Sequence, residues 1–331
     1  MTVRTELDTA ARLIEGASSV ALACHVGPDG DALGSMLALH HLCRANGKAS
    51  IASWPAPFTV APHYRYLPGL ELATPPEDFP HAPEVMLTFD CGSLGRLGEL
   101  AHAAKAAGEL VVVDHHESNE RFGSVNVVDS KAAATAVLVR RLAERLRWAL
   151  TKEAAVCLYT GLVTDTGRFQ YANTTPEVFA LAEELAGFDL PIEEMTRQLF
   201  EQHRFTYLQM MGACLARAEL DPELRFVATW VTNFDLDGFD VSIEETEGLI
   251  DMVRRTAEAE VACVCKETSD GIRVSLRSVT PDVDVSAVAA HFGGGGHRFA
   301  AGFTASYPVT DVVAEVKAVL RDLRGASELR A

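Results

Sequence analysis

Short apolar runs rich in β-branched residues, each followed by a helix-like stretch, constrain the N-terminal half of this chain more than any other feature. Residues 19–26, 84–90 and 110–114 read as buried strands, the last carrying Val111-Val112-Val113. Residues 32–46, 96–107, 133–146 and 152–164 read as helices, with Asp31 placed to cap the first of them. Strand and helix in alternation predict an α/β domain, a parallel sheet with helices on both faces. In such sheets ligands bind beyond the carboxyl ends of the strands.

Acid and imidazole concentrate at that edge. His25-Val-Gly-Pro-Asp29-Gly-Asp31 follows the first run, Asp90 the second and Asp114-His115-His116 the third; Asp165-Thr-Gly is read as a fourth such segment. So many hard oxygen donors with a few imidazoles call for a cation, and the simplest reading is a two-metal site that cleaves phosphate esters. Such a centre shares one ligand between ions about 3.5–4 Å apart, and Asp90, with one oxygen for each ion, suits that role. Asp29 and Asp31 flank Gly30, which relieves the tight turn and lets them reach different ions. His25 adds an imidazole on one side and His115 on the other, and Asp165 closes the second shell. Mixed oxygen and nitrogen donors suit Mn²⁺ better than Mg²⁺, and the absence of cysteine disfavours zinc. Taken singly, each segment is ordinary: Asp-Gly-Asp is a turn, His-His a loop, Asp-Thr-Gly a helix end. Their conjunction in one domain carries the metal reading.

From about Glu223 the texture changes. Residues 189–220 read as a helical connector between a first domain, 1–188, and a smaller α+β domain, 221–325. In the latter, 225–232 is strand-like and 243–258 helical. Residues 261–266 and 272–278 form a hairpin about Ser269-Asp-Gly271, and helix 285–292 runs into Gly293-Gly-Gly-Gly-His297. Consecutive glycines let backbone N–H groups approach a phosphate, and Arg277 can add a bidentate clamp; a flexible linker and a solvated strand residue are the plainer readings. Residues 75–83 read as a surface loop. The other histidines, among them His40 and His41 on the first helix, read as packed or surface residues.

The 331 residues, 48% hydrophobic and 23% charged, are enough for two domains of a globular enzyme. A net charge of -17 argues against a broad basic face for long duplex nucleic acid. It leaves room for short anionic substrates, because bound divalent ions invert the local field. The seven cysteines are scattered with no CxxC pair, which suits a reduced cytoplasmic protein. No apolar leader stretch opens the sequence and no run reaches the roughly 18 apolar residues of a membrane span, so no membrane partner is expected.

The segment His25-Val-Gly-Pro-Asp-Gly-Asp-Ala-Leu-Gly-Ser35, with Asp90-Cys-Gly-Ser and Asp114-His-His, resembles the DHH phosphoesterases. Ser275-Leu-Arg277-Ser278 followed by Gly293-Gly-Gly-Gly-His-Arg-Phe-Ala-Ala-Gly302 resembles the DHHA1 domain that follows it in one branch, and Thr164-Asp-Thr-Gly-Arg-Phe-Gln-Tyr-Ala-Asn-Thr-Thr-Pro176 is similar to that branch too. The resemblance is to the NrnA-like group of nanoRNases and pAp phosphatases, which share chemistry with cyclic-di-AMP and pApA phosphodiesterases. It implies two Mn²⁺ ions per subunit, one held by His25, Asp29 and Asp90 and one by Asp31, Asp90, His115 and Asp165. It implies that His116 contacts the scissile phosphate and that Asp114 orients the paired histidines. Arg277, Ser278, Gly294, Gly295, Gly296 and His297 would grip the terminal phosphate or nucleotide of short oligoribonucleotides, linear or cyclic dinucleotides, or pAp. A homodimer fits the group, with residues 132–138 as an apolar patch or, equally, as core. A cyclic-di-AMP phosphodiesterase, with the same metal ligands, is the first alternative and stays open; inorganic pyrophosphatase, nucleotide sensor and processive exonuclease are the others, and the glycine-rich end, the complete ligand set and the net charge argue against those three in turn.

Overall fold

The computed structural model describes residues 2–328. The chain divides into two compact units, one reaching Glu201 and one starting at Gln202. The N-terminal unit runs α1 (Val3–Gly16), β1 (Ser19–Cys24), α2 (Gly30–Ala45), β2 (Ala49–Ser53), β3 (Val85–Phe89), α3 (Ala101–Ala106), β4 (Glu109–Asp114), β5 (Val125–Val128), α4 (Thr135–Leu146), α5 (Lys152–Asp165), α6 (Pro176–Ala186) and α7 (Ile192–Thr196). The five strands pair in the order β2-β1-β3-β4-β5, all parallel. The winding reverses between β1 and β3, which makes the carboxyl ends of those two strands the switch point at which sheets of this kind bind ligands.

Strand alternation divides the side chains between two cores. Val20, Leu22, Leu87, Phe89, Val111 and Val113 pack under α1, α2, α4 and α5. Ala21, Ala23, Met86 and Leu110 pack on the other face against Leu97, Leu100, Ala103 and Ala104. Both faces are covered, as the sequence predicts. α2 and α5 approach unusually closely: a Cβ on Gly34 would lie 2.4 Å from the Cys157 carbonyl oxygen, and one on Gly161 would lie 2.6 Å from Asp31 Oδ1. Residues 132–138 are core, with Ala132, Ala133, Ala134, Ala136, Val137 and Leu138 all buried, so they supply no dimer patch.

Several local expectations change. Asp165 follows no strand; it is the last residue of α5. The helix expected over 96–107 opens as a 3-10 stretch, Leu94–Leu100, interrupted at Gly98 with φ 49°. The segment 75–83 is the surface loop expected, with a 3-10 turn, Pro76–Asp78, and Phe79 buried as its anchor.

The C-terminal unit runs α8 (Phe205–Ala216), β6 (Glu219–Asp221), β7 (Phe226–Val231), α9 (Asn233–Phe239), α10 (Leu249–Val253), β8 (Val261–Thr268), β9 (Gly271–Ser278), α11 (Val285–His291), β10 (Gly295–His297), β11 (Ala300–Ala305) and α12 (Val309–Glu328). Its sheet has the order β10-β11-β9-β8-β7-β6, antiparallel except for the β7–β8 pair. The connector is not one helical run. α7 passes into a π-helical turn, Arg197–Glu201, residues 202–204 are non-helical, and α8 restarts the helix. Arg204 is extended there, and its guanidinium donates to the Asp240 carbonyl, the Asp240 carboxylate and Glu245, tying α8 into the second unit. The helix expected over 243–258 is cut to a 3-10 turn and α10. Among the described residues, no helix is long and apolar enough to cross a membrane.

Candidate metal centre

β1 delivers His25 to the sheet edge, buried just beyond Cys24. Asp29 is extended, and its Oδ1 accepts from the backbone N of Asp31 (3.1 Å) and Ala32 (3.0 Å). Asp29, not Asp31, is therefore the cap of α2, and its second oxygen lies 3.9 Å from His25 Nε2. Asp31 sits inside the first turn, fully buried. It accepts from Thr135 N (2.5 Å), Ala136 N (2.9 Å) and Ser35 Oγ (3.1 Å).

Asp90 follows β3 in the left-handed region, φ 55°, with its backbone N donating to the Val113 carbonyl. Its two oxygens face different imidazoles: Oδ2 is 3.6 Å from His25 Nε2 and Oδ1 is 3.5 Å from His115 Nε2. His115 donates from Nδ1 to the Ala132 carbonyl (3.2 Å), which turns Nε2 toward Asp31 (3.8 Å), Asp90 and Asp165 (3.1 Å). Asp114 is fully buried. One oxygen accepts from His116 Nδ1 at 2.6 Å and the other from Asn119 Nδ2 at 2.5 Å.

Within the described residues of the N-terminal unit, three sets of donor atoms converge within 4.8 Å: His25, Asp29 and Asp90; Asp31, Asp90 and His115; Asp90, Asp114 and His116. Asp90 is common to all three. The electrostatics favour a cation. Burial, then the neighbouring Asp90 and Asp165 charges, push the Asp31 carboxyl well above the usual carboxylate range. Burial opposes charge on the histidines, yet Asp165, Asp90 and Asp31 lift His115 well above an ordinary imidazole. Asp90 and Asp114 likewise overcome burial and lift His116 to about 9. Asp90 itself stays far below the carboxylate range despite burial, because His116, His25 and His115 surround it. Buried carboxylates that ionise only by charging their imidazole neighbours fit a centre built for divalent cations.

Sequence reasoning missed several groups here. Thr135 donates from its hydroxyl to Asp90 Oδ1 (3.0 Å) and from its backbone to Asp31. Asn119 holds Asp114, and Asn173 donates to the Asp165 and Ala133 carbonyls. Arg96 Nη2 donates to His25 Nδ1 (2.8 Å), the nitrogen that also lies 3.0 Å from the Val26 carbonyl. These two contacts select opposite tautomers; coordination at Nε2 requires the one that donates to Val26.

In the C-terminal unit, Arg277 and Ser278 end β9 and alternate between the sheet's faces. Arg277 donates to the Leu276 carbonyl, while the buried Ser278 hydroxyl donates to the Thr280 carbonyl (2.8 Å). The glycine run is not simply a loop, because Gly295, Gly296 and His297 form β10 against β11. A Cβ on Gly294 would meet the Gly302 carbonyl at 2.2 Å, and Gly296 adopts φ 141° against Ala300 and Ala301. Close strand approach is thus one reason for these glycines.

Comparison with known proteins gives a consistent picture. The family described as "DHH family, N-terminal domain" matches residues 19–162, and the "DHHA1 domain" matches 225–323. The bifunctional oligoribonuclease and PAP phosphatase NrnA of Thermus thermophilus is 33% identical over 294 residues, 88% of this chain and 85% of that protein. The Bacillus subtilis protein of the same name is 25% identical, covering 91% and 92%. An exopolyphosphatase-related protein from Bacteroides fragilis shares the fold, with a TM-score of 0.86, 24% identity and coverage of 98% and 97%.

Proposed function

Since the chain belongs to the DHH family of phosphoesterases and carries a DHHA1 domain, we propose that it hydrolyses short oligoribonucleotides, pApA and pAp to mononucleotides with two Mn²⁺ ions per subunit. The observation that carries this reading is Asp90, whose two oxygens face His25 and His115 separately.

His25, Asp29 and Asp90 would hold one ion, and Asp31, Asp90, His115 and Asp165 would hold the other. The nitrogen and oxygen donor set favours Mn²⁺ over Mg²⁺. When bound, the ions supply a water of lowered pKa and stabilise the charge that grows on the phosphoryl oxygens. Asp114 fixes His116 through Nδ1, which leaves Nε2 to donate to the scissile phosphate. Asn119 and Asp114 keep that ring from turning. Arg277, Gly294, Gly295, Gly296 and His297 would grip the far phosphate or nucleotide, whereas Ser278, expected to join them, is buried with its hydroxyl bonded to Thr280 and supports the end of β9 instead. The acidic chain, with a net charge of -17, disfavours long duplex. Seven free, buried thiols suit a reducing cytoplasm.

A product assay tests this. Purified protein with Mn²⁺ is given pApA, pAp, three- and five-residue RNA, cyclic-di-AMP and pyrophosphate, with Asp90→Asn as the control. Asn tolerates the left-handed backbone that Ala would strain. AMP from pApA, pAp and RNA, absent in the variant, is the expected result. Fast opening of cyclic-di-AMP instead reassigns the enzyme to second-messenger breakdown, and turnover of pyrophosphate alone overturns the proposal.

A further inference from the structure

Every proposed ligand but one stands at a strand end or in the first turn of α2. Asp165 ends a helix, where carbonyl groups lack intrahelical partners. The chain then turns through three consecutive left-handed residues: Gly167 (φ 53°), Arg168 (φ 62°) and Phe169 (φ 63°). Neither Arg nor Phe favours that conformation, at a cost of about 1–2 kcal/mol each. Hydrogen bonds within the turn offset part of this strain, Arg168 N donating to the Val163 carbonyl and Gln170 and Tyr171 N to the Thr166 carbonyl, and contacts from outside tie the end of α5 to the rest of the centre.

One side chain supplies two of them. Asn173 Nδ2 donates to the Asp165 carbonyl and to the Ala133 carbonyl, each at 3.0 Å. Ala133 lies in the stretch that orients the remaining ligands of the same ion. The Ala132 carbonyl accepts from His115, Thr135 and Ala136 donate to Asp31, and the Thr135 hydroxyl donates to Asp90. Among the described residues Asn173 Oδ1 is buried without a hydrogen-bond partner, so its two N–H bonds alone orient the amide.

We propose that Asn173 is a positioning residue for the Asp165 half of the metal centre, bridging the end of α5 to the 132–136 stretch; this rests on the two-ion reading above. A primary amide gives two N–H donors from one nitrogen, whereas Asp has the same shape and, ionised, gives none. Partners that orient metal ligands typically contribute 10–100-fold to metal affinity. The bridge touches neither His25 nor Asp29 and reaches their ion only through the shared Asp90, so its loss falls mainly on the other ion.

The test is a Mn²⁺ titration of the metal-free full chain by calorimetry and electron paramagnetic resonance. The wild type, Asn173→Asp and the uncharged Asn173→Ala are compared, with circular dichroism to confirm folding. Wild type should bind two ions with a spin-coupled signal. In both variants one affinity should fall about 10–100-fold while the other stays within about 3-fold, and one equivalent of Mn²⁺ should give the six-line spectrum of an isolated ion. Unchanged affinities for both ions overturn the proposal, as does an equal loss of both in Asn173→Ala. A wild-type protein that binds no pair of ions overturns the two-ion reading itself, a result visible before any variant is made.

Discussion

The hydroxyl of Thr135 donates to Asp90 Oδ1 across 3.0 Å, and both residues are buried. Asp90 offers that same oxygen toward His115, so the hydroxyl fixes which lone pair is left for an ion. Thr135→Val keeps the shape and removes only this donor. We expect kcat/KM on pApA to fall about 10–100-fold, with Thr135→Ser within a few-fold of wild type. Steady-state assays at saturating Mn²⁺ check this, and equal activity in the Val variant would sink the idea.

Gly34 faces the backbone of α5. Ala in place of Gly normally favours a helix by up to about 1 kcal/mol, but here the new Cβ would sit 2.4 Å from the Cys157 carbonyl oxygen. Backbone cannot yield as a side chain can, so overpacking of about 1–3 kcal/mol or more wins. The Tm of the metal-free protein should drop by about 5 °C in calorimetry. Gly212→Ala, inside α8 with nothing within 4 Å, should instead stabilise.

His40 is buried in α2, 2.9 Å from Ser50 Oγ. Burial, with help from His41 and Arg44, holds its pKa down to about 4 against an ordinary 6.5. The unfolded chain therefore takes up this proton first. The stability from keeping the ring neutral is present above about pH 6.5 and is lost as pH falls toward 4, by at most about 3 kcal/mol. In urea unfolding of the metal-free protein, His40→Gln should lose less stability than wild type between pH 7.5 and 4.5. Parallel curves would show that His40 does not titrate this way.

Arg277 is half-buried at the end of β9. Loss of a charge-assisted clamp on phosphate costs about 1.5–3 kcal/mol. Arg277→Ala should raise KM for pApA about 10–100-fold while the Mn²⁺ affinities measured by calorimetry stay unchanged. A loss of metal in this variant contradicts the division of labour between the two units.

The acid and imidazole groups at strand ends were legible because apolar β-branched runs announce a buried strand and these groups come directly after. His25, Asp90, His115 and His116 stand at the ends of β1, β3 and β4 as this pattern predicts. Asp165, expected after a strand, ends α5 instead, since nothing local distinguishes a donor at a helix end from one after a strand. The cap of α2 moved from Asp31 to Asp29 because the extended backbone of Asp29, not residue type, decides where the helix starts. Thr135 was invisible: its partners Asp90 and Asp31 are 45 and 104 residues away, and only the folded sheet brings them together. The Gly293–Gly296 run promised a loop, and pairing with β11 made part of it a strand.

Cys24 stands immediately before His25 and Cys91 immediately after Asp90, and both thiols are buried away from solvent. β1 is laddered to β2 and β3, and β3 to β1 and β4. A slip of one residue in either strand would exchange an imidazole or a carboxylate for sulfur and turn a hard-cation centre toward thiophilic metals. Metal choice in this chain is thus written as much in strand pairing as in donor identity, and a single-residue insertion in β1 or deletion in β3 endangers it more than many substitutions would.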